Sequence, residues 1–101
     1  MLRFLAVFVG VACLAGCASA PVQEMSDARQ AIVAASAAGA TRGSSPEYDA
    51  AEAAIVRAET HLQAQEFTRA RLAALEAKRH AAAALADANS QHAEAAVTQP
   101  H

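Results

Sequence analysis

The sequence predicts an all-α fold: a small antiparallel helical hairpin or three-helix bundle that follows a cleaved signal peptide. Alanine supplies most of the 54% hydrophobic residues, and it has the highest helix propensity of any residue. Apolar residues recur at alternating spacings of three and four in three stretches, which places them along one side of a helix. Tryptophan is absent, with one tyrosine and three phenylalanines, so the helices must pack through small side chains.

The N-terminal segment has the order of an export signal. Arg3 precedes an apolar run from Phe4 to Leu14, and small residues follow, as in secretory signal peptides. This run is too short to span a membrane, because a spanning helix needs about 20 apolar residues. We therefore expect residues 1–16 to be a signal peptide that is removed from the mature chain.

A short motif follows the apolar run: Leu14, Ala15, Gly16 and Cys17. It resembles the lipobox of bacterial lipoproteins, in which a small residue precedes a cysteine that becomes the first residue of the mature protein. The resemblance implies cleavage between Gly16 and Cys17 and a covalent lipid on Cys17, with no other cofactor. Several acyl chains anchor a protein stably, whereas one gives only marginal membrane binding.

Two neighbouring residues refine this hypothesis. Cys13 fits the motif less well, because Gly10 stands where the lipobox has leucine. Ala18, rather than aspartate, follows Cys17, and by analogy with lipoprotein sorting this places the anchor on the periplasmic face of the bacterial outer membrane. We expect residues 17–23 to be the lipidated cysteine and its tether, 24–96 the helical domain and 97–101 a flexible tail.

The first helical segment has an apolar stripe that ends at a glycine: Met25, Ala28, Ile32, Ala35 and Gly39. Glycine and serine dominate the stretch from Gly39 to Ser45, which predicts a loop. A second helix should begin after it, with Ser45 as N-cap, Pro46 at the first position and Glu47 in the first turn.

The second and third segments continue the pattern. The second stripe consists of Tyr48, Ala51, Ile55, Ala58 and Leu62. The third begins near Phe67 and is almost purely alanine: Ala70, Ala74, Ala77, Ala81, Ala84 and Ala88. Small residues let a neighbouring helix approach toward the short end of the ~8–10 Å interaxial range, so we expect Ala70–Ala84 to be an interaction seam. The helical signal weakens from Asn89 onward.

The join between the second and third segments leaves two alternatives open. Nothing in residues 63–67 breaks a helix, so one continuous rod from Pro46 to about Ala88 agrees with local propensity. The alternative is a turn at Gln65 and Glu66, which would fold the two segments into a hairpin. That hairpin would bury four large apolar residues together: Ile55, Leu62, Phe67 and Leu75.

The layout of these segments resembles a bacterial lipoprotein family, domain-of-unknown-function family 4398. The resemblance rests on the Gly39-Ala40 pair, the restart from Ser45 to Tyr48, and the Gln65-Glu66-Phe67 join, and it covers approximately Pro21 to Leu85. It implies a tetratricopeptide-like hairpin and a cell-envelope setting, with some relatives fused to peptidoglycan-binding domains. That family usually has Gly-Asp-Tyr or Gly-Asn-Tyr at the join, so Gln65 departs from its glycine.

The chain has few residues suited to catalysis or metal binding. No two of its histidines (His61, His80, His92 and His101) stand at i, i+4, and no cysteine or carboxylate completes a known ligand set, so solvent exposure is their expected state. Neither a nucleophile elbow nor a glycine-rich phosphate loop occurs. We therefore expect no enzymatic activity and no metal site. The net charge of −2 also argues against nucleic-acid binding, which needs a basic face.

Two functional hypotheses remain. In the first, the chain is a structural or protein-interaction lipoprotein whose alanine seam (Ala70, Ala74, Ala77, Ala81 and Ala84) contacts an envelope protein or a second copy. In the second, a groove between helices binds peptidoglycan or a small ligand through Tyr48, Arg57 and Arg71. Both keep the protein at the membrane through the lipid on Cys17.

Overall fold

The computed structural model describes residues 19–98. Within this range the chain forms three helices: α1 (Val22–Ala37), α2 (Pro46–Gln63) and α3 (Phe67–Thr98). The prediction of a small all-α bundle is confirmed. The expected signal peptide and Cys17 fall in residues 1–18, outside the described range, as do residues 99–101.

The start of α1 lies inside the segment that we expected to be a tether. The helix begins at Val22, so residues 22 and 23 are helical, and the preceding Pro21 is fully buried. Pro21 is the N-cap residue of α1, where the missing N–H of proline removes no intrahelical hydrogen bond. The helical domain therefore begins two residues earlier than the predicted boundary at residue 24.

The loop between α1 and α2 has the predicted caps. Gly39 has a φ of +111°, a conformation that glycine adopts without steric cost. The Ser45 side chain accepts a hydrogen bond from the Tyr48 N–H at 3.2 Å, and Pro46 is the first residue of α2. These local signals fix the end of α1 and the start of α2.

The chain turns between α2 and α3, so the continuous rod is excluded. The Glu66 N–H donates to the His61 carbonyl at 2.8 Å, and the Gln65 N–H donates to the Leu62 carbonyl at 3.0 Å. Gln65 itself has a φ of +60°. The hairpin alternative is confirmed, with a glutamine in a left-handed position that usually favours glycine.

Helix α3 is the centre of the bundle, with α1 and α2 packed on it. Arg71 lies 3.3 Å from Glu24 and Lys78 lies 3.9 Å from Asp27, so α1 runs parallel to α3. The hairpin makes α2 antiparallel to α3. Helices α1 and α2 meet each other less extensively than either meets α3, which leaves a groove between them.

The core is built mainly from alanine. One cluster of buried residues contains Met25, Ala28, Ala54, Ile55, Ala58, Ala73, Ala74 and Ala77. The other contains Ala35, Ala40, Tyr48 and Ala84. The apolar cluster expected at the hairpin is wrong: of its four residues only Ile55 is buried, while Leu62 and Phe67 are half-buried. Leu75 is 46% exposed, because α1 and α2 cover the alanine side of α3 and not the side that carries Leu75.

The last part of α3 is longer than predicted. We expected the helix to fray from Asn89 and residues 97–101 to be a tail, but α3 continues to Thr98. Alanine remains frequent here and the first helix-breaking residue is Pro100, which explains the extension. His92 supports it, since its Nε2 lies 2.7 Å from the Ala38 carbonyl oxygen.

Candidate functional site

The groove between α1 and α2, called here the α1–α2 groove, is a concave surface with an apolar floor. It has a volume of about 370 Å³ and is lined by Arg29, Ile32, Val33, Arg42, Glu52, Ile55, Val56 and Glu59. Helix α3 packs on the other side of α1 and α2, where the buried faces of both helices contact its alanines. The groove is therefore a free surface of the two outer helices.

The floor and walls of the groove are aliphatic. Ile55 is 9% exposed and Ile32 packs partly buried beside it, so these two residues form the floor. Val33 and Val56 are 66% and 58% exposed, and they extend the apolar surface toward solvent. A folded chain normally leaves single apolar residues exposed, but here two exposed valines continue a partly buried apolar floor on one groove.

Two ion pairs cross the groove. Arg29 of α1 lies 3.3 Å from Glu59 of α2, and the Nε of Arg42, in the loop, lies 2.7 Å from the Glu52 carboxylate. The Arg42 side chain is 80% exposed while that of Glu52 is 25% exposed. The guanidinium groups are therefore the more accessible members of the two pairs.

The Arg42–Glu52 pair is ionised at neutral pH. The hydrogen bond from Arg42 lowers the pKa of the Glu52 carboxyl below its ordinary value, because a donor stabilises the charged form. The same bond raises the pKa of Arg42. A second depression on α2 shares Arg42, Glu52 and Val56 with the groove and extends it toward Asp49.

A family model described as Domain of unknown function (DUF4398) matches residues 23–100. The chain belongs to this family. The match covers all of α1 beyond its first residue, all of α2 and all of α3. No curated protein and no solved structure matches the chain.

The predicted interaction seam of this DUF4398 chain lies in its interior. Each of its five alanines (Ala70, Ala74, Ala77, Ala81 and Ala84) is at most 1% exposed. Helices α1 and α2 cover them, so the surface predicted to contact a partner is buried by the chain's own helices. The small side chains do permit close helix packing, but within one molecule.

The three residues expected to bind a ligand together are separated in the DUF4398 fold. Tyr48 is buried in the core. Arg57 pairs with Glu76 across α2 and α3 at 3.1 Å, while Arg71 pairs with Glu24 across α1 and α3. The structure therefore does not bring Tyr48, Arg57 and Arg71 into one site.

Two of the histidines are not simply exposed. His61 is half-buried and lies 3.1 Å from the Glu66 carboxylate, and this hydrogen bond is the main cause of the lowered pKa of Glu66. His80 is also half-buried, 2.7 Å from Glu47 and 3.8 Å from Glu76. No group of three metal-binding side chains occurs among residues 19–98, and His101 lies outside that range.

The stripe pattern includes Ile32 and Ile55 but does not predict the α1–α2 groove, because it leaves out the valine that follows each of them. Val33 and Val56 each directly follow a stripe residue, Ile32 and Ile55 respectively. These two β-branched doublets widen the apolar face of α1 and of α2, and they were the available signal. Nothing in the sequence indicated the ion pair between Arg29 and Glu59, because these residues are 30 positions apart.

Proposed function

We propose that this chain is a lipid-anchored protein of the bacterial outer membrane, on its periplasmic side, and that it binds one helix of another envelope protein in the α1–α2 groove. Cys17 carries the lipid in this proposal, after cleavage behind Gly16, and the role is non-enzymatic. The lipobox-like residues support the anchor. No helix within residues 19–98 is both long and apolar enough to cross a bilayer.

The shape of the groove is the observation that carries the binding role. Two antiparallel helices line it, and their apolar residues lie at its base. An amphipathic helix that packs its apolar face into such a groove is a recurrent mode of recognition. Helix α1 has 16 residues, about 24 Å at 1.5 Å per residue, so the groove can hold about four turns of a partner helix.

The charges at the rim favour a partner with acidic residues beside its apolar stripe. Arg42 uses its Nε to bind Glu52, and its terminal amino groups have no partner within residues 19–98. Arg29 is likewise more than half exposed. Complementary charges at an interface rim mainly raise the association rate and set specificity.

Photo-crosslinking in living cells tests this proposal. A photoreactive residue replaces Val56 in the groove or, as the matched control, Leu75, which is similarly exposed on the outer face of α3. We expect an adduct from position 56 and not from position 75, and peptide sequencing should place it on an amphipathic helix with acidic flanks. The charge reversals Arg29→Glu and Arg42→Glu should weaken that adduct.

Three outcomes contradict the groove assignment. Equal adducts from both positions would indicate contact without specificity. An adduct with a second copy of this chain would indicate self-association. Recovery of peptidoglycan fragments in place of a protein would favour the cell-wall hypothesis.

A further inference from the structure

The end of the bundle from which the N-terminal segment leaves is fixed by side-chain contacts. Arg71 donates from Nη2 to the Ser19 carbonyl at 3.1 Å and from Nε to Glu24 at 3.3 Å. Pro21, between these two residues, is fully buried. The backbone of residues 19–21 is therefore held against α3, one turn after that helix begins at Phe67.

Only two peptide units separate this fixed point from the proposed lipid. Ser19 is two residues after Cys17, and a fully extended chain spans at most about 3.6 Å per residue. The Ser19 backbone can thus lie no more than about 7 Å from the Cys17 Cα. So short a connection leaves the bundle little freedom to turn away from the lipid.

We propose that the α2–α3 turn, together with the start of α1, rests on the lipid headgroup surface, with the α1–α2 loop held away from it. This inference rests on the proposed lipid at Cys17 and specifies the surface that meets the membrane. The membrane-facing end, as we call it, consists of Val22, the turn residues 64–66, and the first turns of α3.

The side chains at the membrane-facing end suit a lipid headgroup surface. Val22 and Leu72 are 73% and 62% exposed, and Phe67 is half-buried. Arg69 lies 3.2 Å from Glu66, so the charged groups at the tip are paired. Apolar side chains with neutralised charges can settle at the boundary between headgroups and acyl chains with a small desolvation cost.

This orientation determines what the protein presents to the periplasm. Helix α1 is about 24 Å long at 1.5 Å per residue, so the α1–α2 loop stands about that distance from the membrane-facing end. Arg42 lies in this loop, at the far end of the α1–α2 groove. The groove is then accessible along its length to a periplasmic partner.

Fluorescence quenching at a membrane surface tests the orientation. The lipidated full-length protein is made in bacteria with a single new thiol, Ala64→Cys at the turn or Ala37→Cys at the end of α1, both of which are exposed. Each labelled protein is placed in phosphatidylethanolamine and phosphatidylglycerol vesicles that contain a headgroup-attached quencher. We expect at least about twofold stronger quenching at position 64, because roughly 24 Å separates the two positions along α1.

A lengthened tether supplies the control. Insertion of about 12 glycine and serine residues between Ala18 and Ser19 gives a flexible connection of roughly 20 Å, and the quenching ratio should fall toward one. Equal quenching at both positions in the original chain, with the lipid confirmed by mass, would overturn the orientation and leave the proposed function intact. Absence of lipid on Cys17 would overturn both.

Discussion

Gln65 lies at the turn where the chain reverses direction between α2 and α3. It has a φ of +60° and is the only non-glycine residue with positive φ among those described. A side chain in that conformation costs roughly 1–2 kcal/mol. The hydrogen bonds that close the turn onto His61 and Leu62 hold it there, so the turn forms without glycine.

Replacing this residue tests how much strain the turn contains. We expect Gln65→Gly to stabilise the fold by up to about 1 kcal/mol, because glycine relieves the left-handed strain but loses more entropy on folding. The control Gln63→Gly, in the last turn of α2, should instead destabilise by about 0.5–1 kcal/mol. Urea unfolding of both variants measures the difference, and equal destabilisation would show that the turn is not strained.

At the scale of one helix, the start of α2 depends on its N-cap. The Ser45 hydroxyl accepts from the Tyr48 N–H, and Tyr48 is part of the core. The cap therefore connects a backbone hydrogen bond to the packing of α2 on α3. Loss of the hydroxyl leaves an N–H group without a partner at the helix end.

A serine-to-alanine pair measures this contribution. We expect Ser45→Ala to lower the free energy of unfolding by about 1 kcal/mol. Ser36→Ala, at an exposed position within α1, should be neutral or slightly stabilising because alanine is the better helix former. Thermal melting followed by circular dichroism checks both, and similar effects of the two changes would contradict a capping role.

The elements that sequence could predict are those set by local chemistry. Stripe spacing and the Ser45-Pro46 pair predicted the start of α2, and Gly39 predicted the end of α1. Two helix ends were predicted wrongly. Helix α1 begins earlier, where Pro21 packs into the bundle, and α3 extends further because alanine favours the helix and His92 contacts Ala38. The sequence could not decide between a turn at Gln65 and a continuous helix, because the turn is closed by backbone hydrogen bonds that no residue type in this stretch indicates.

The candidate site belongs to the whole molecule, and for that reason the sequence did not reveal it. The α1–α2 groove exists because both helices pack on α3 and meet each other less. That arrangement depends on which side of α3 each helix occupies, which helical periodicity does not encode. The alanine stripe was correctly recognised as a close-packing surface, but its partner proved to be the chain's own helices.

The whole-molecule architecture implies that the alanine stripe of α3 is essential for folding. Ala77 and Ala81 are 0% exposed, so a glutamate at either position would place its carboxylate in the interior of the bundle. A buried charge without a partner costs several kcal/mol, and a small domain has only about 5 kcal/mol or somewhat more to lose. The outer side of the same helix, at Ala82 and Ala86, is exposed and should tolerate the same change.

The most direct test of this architecture compares two double variants of the chain. Thermal unfolding and the molecular mass in solution are measured for each. We predict that Ala77→Glu with Ala81→Glu abolishes the cooperative transition, while Ala82→Glu with Ala86→Glu retains it. That result would show that the stripe is the interior of one molecule, which leaves the α1–α2 groove for a partner. If the Ala77 and Ala81 variant instead melted like the original chain and lost only its association with another molecule, the stripe would be an interface and our assignment of the groove would be contradicted.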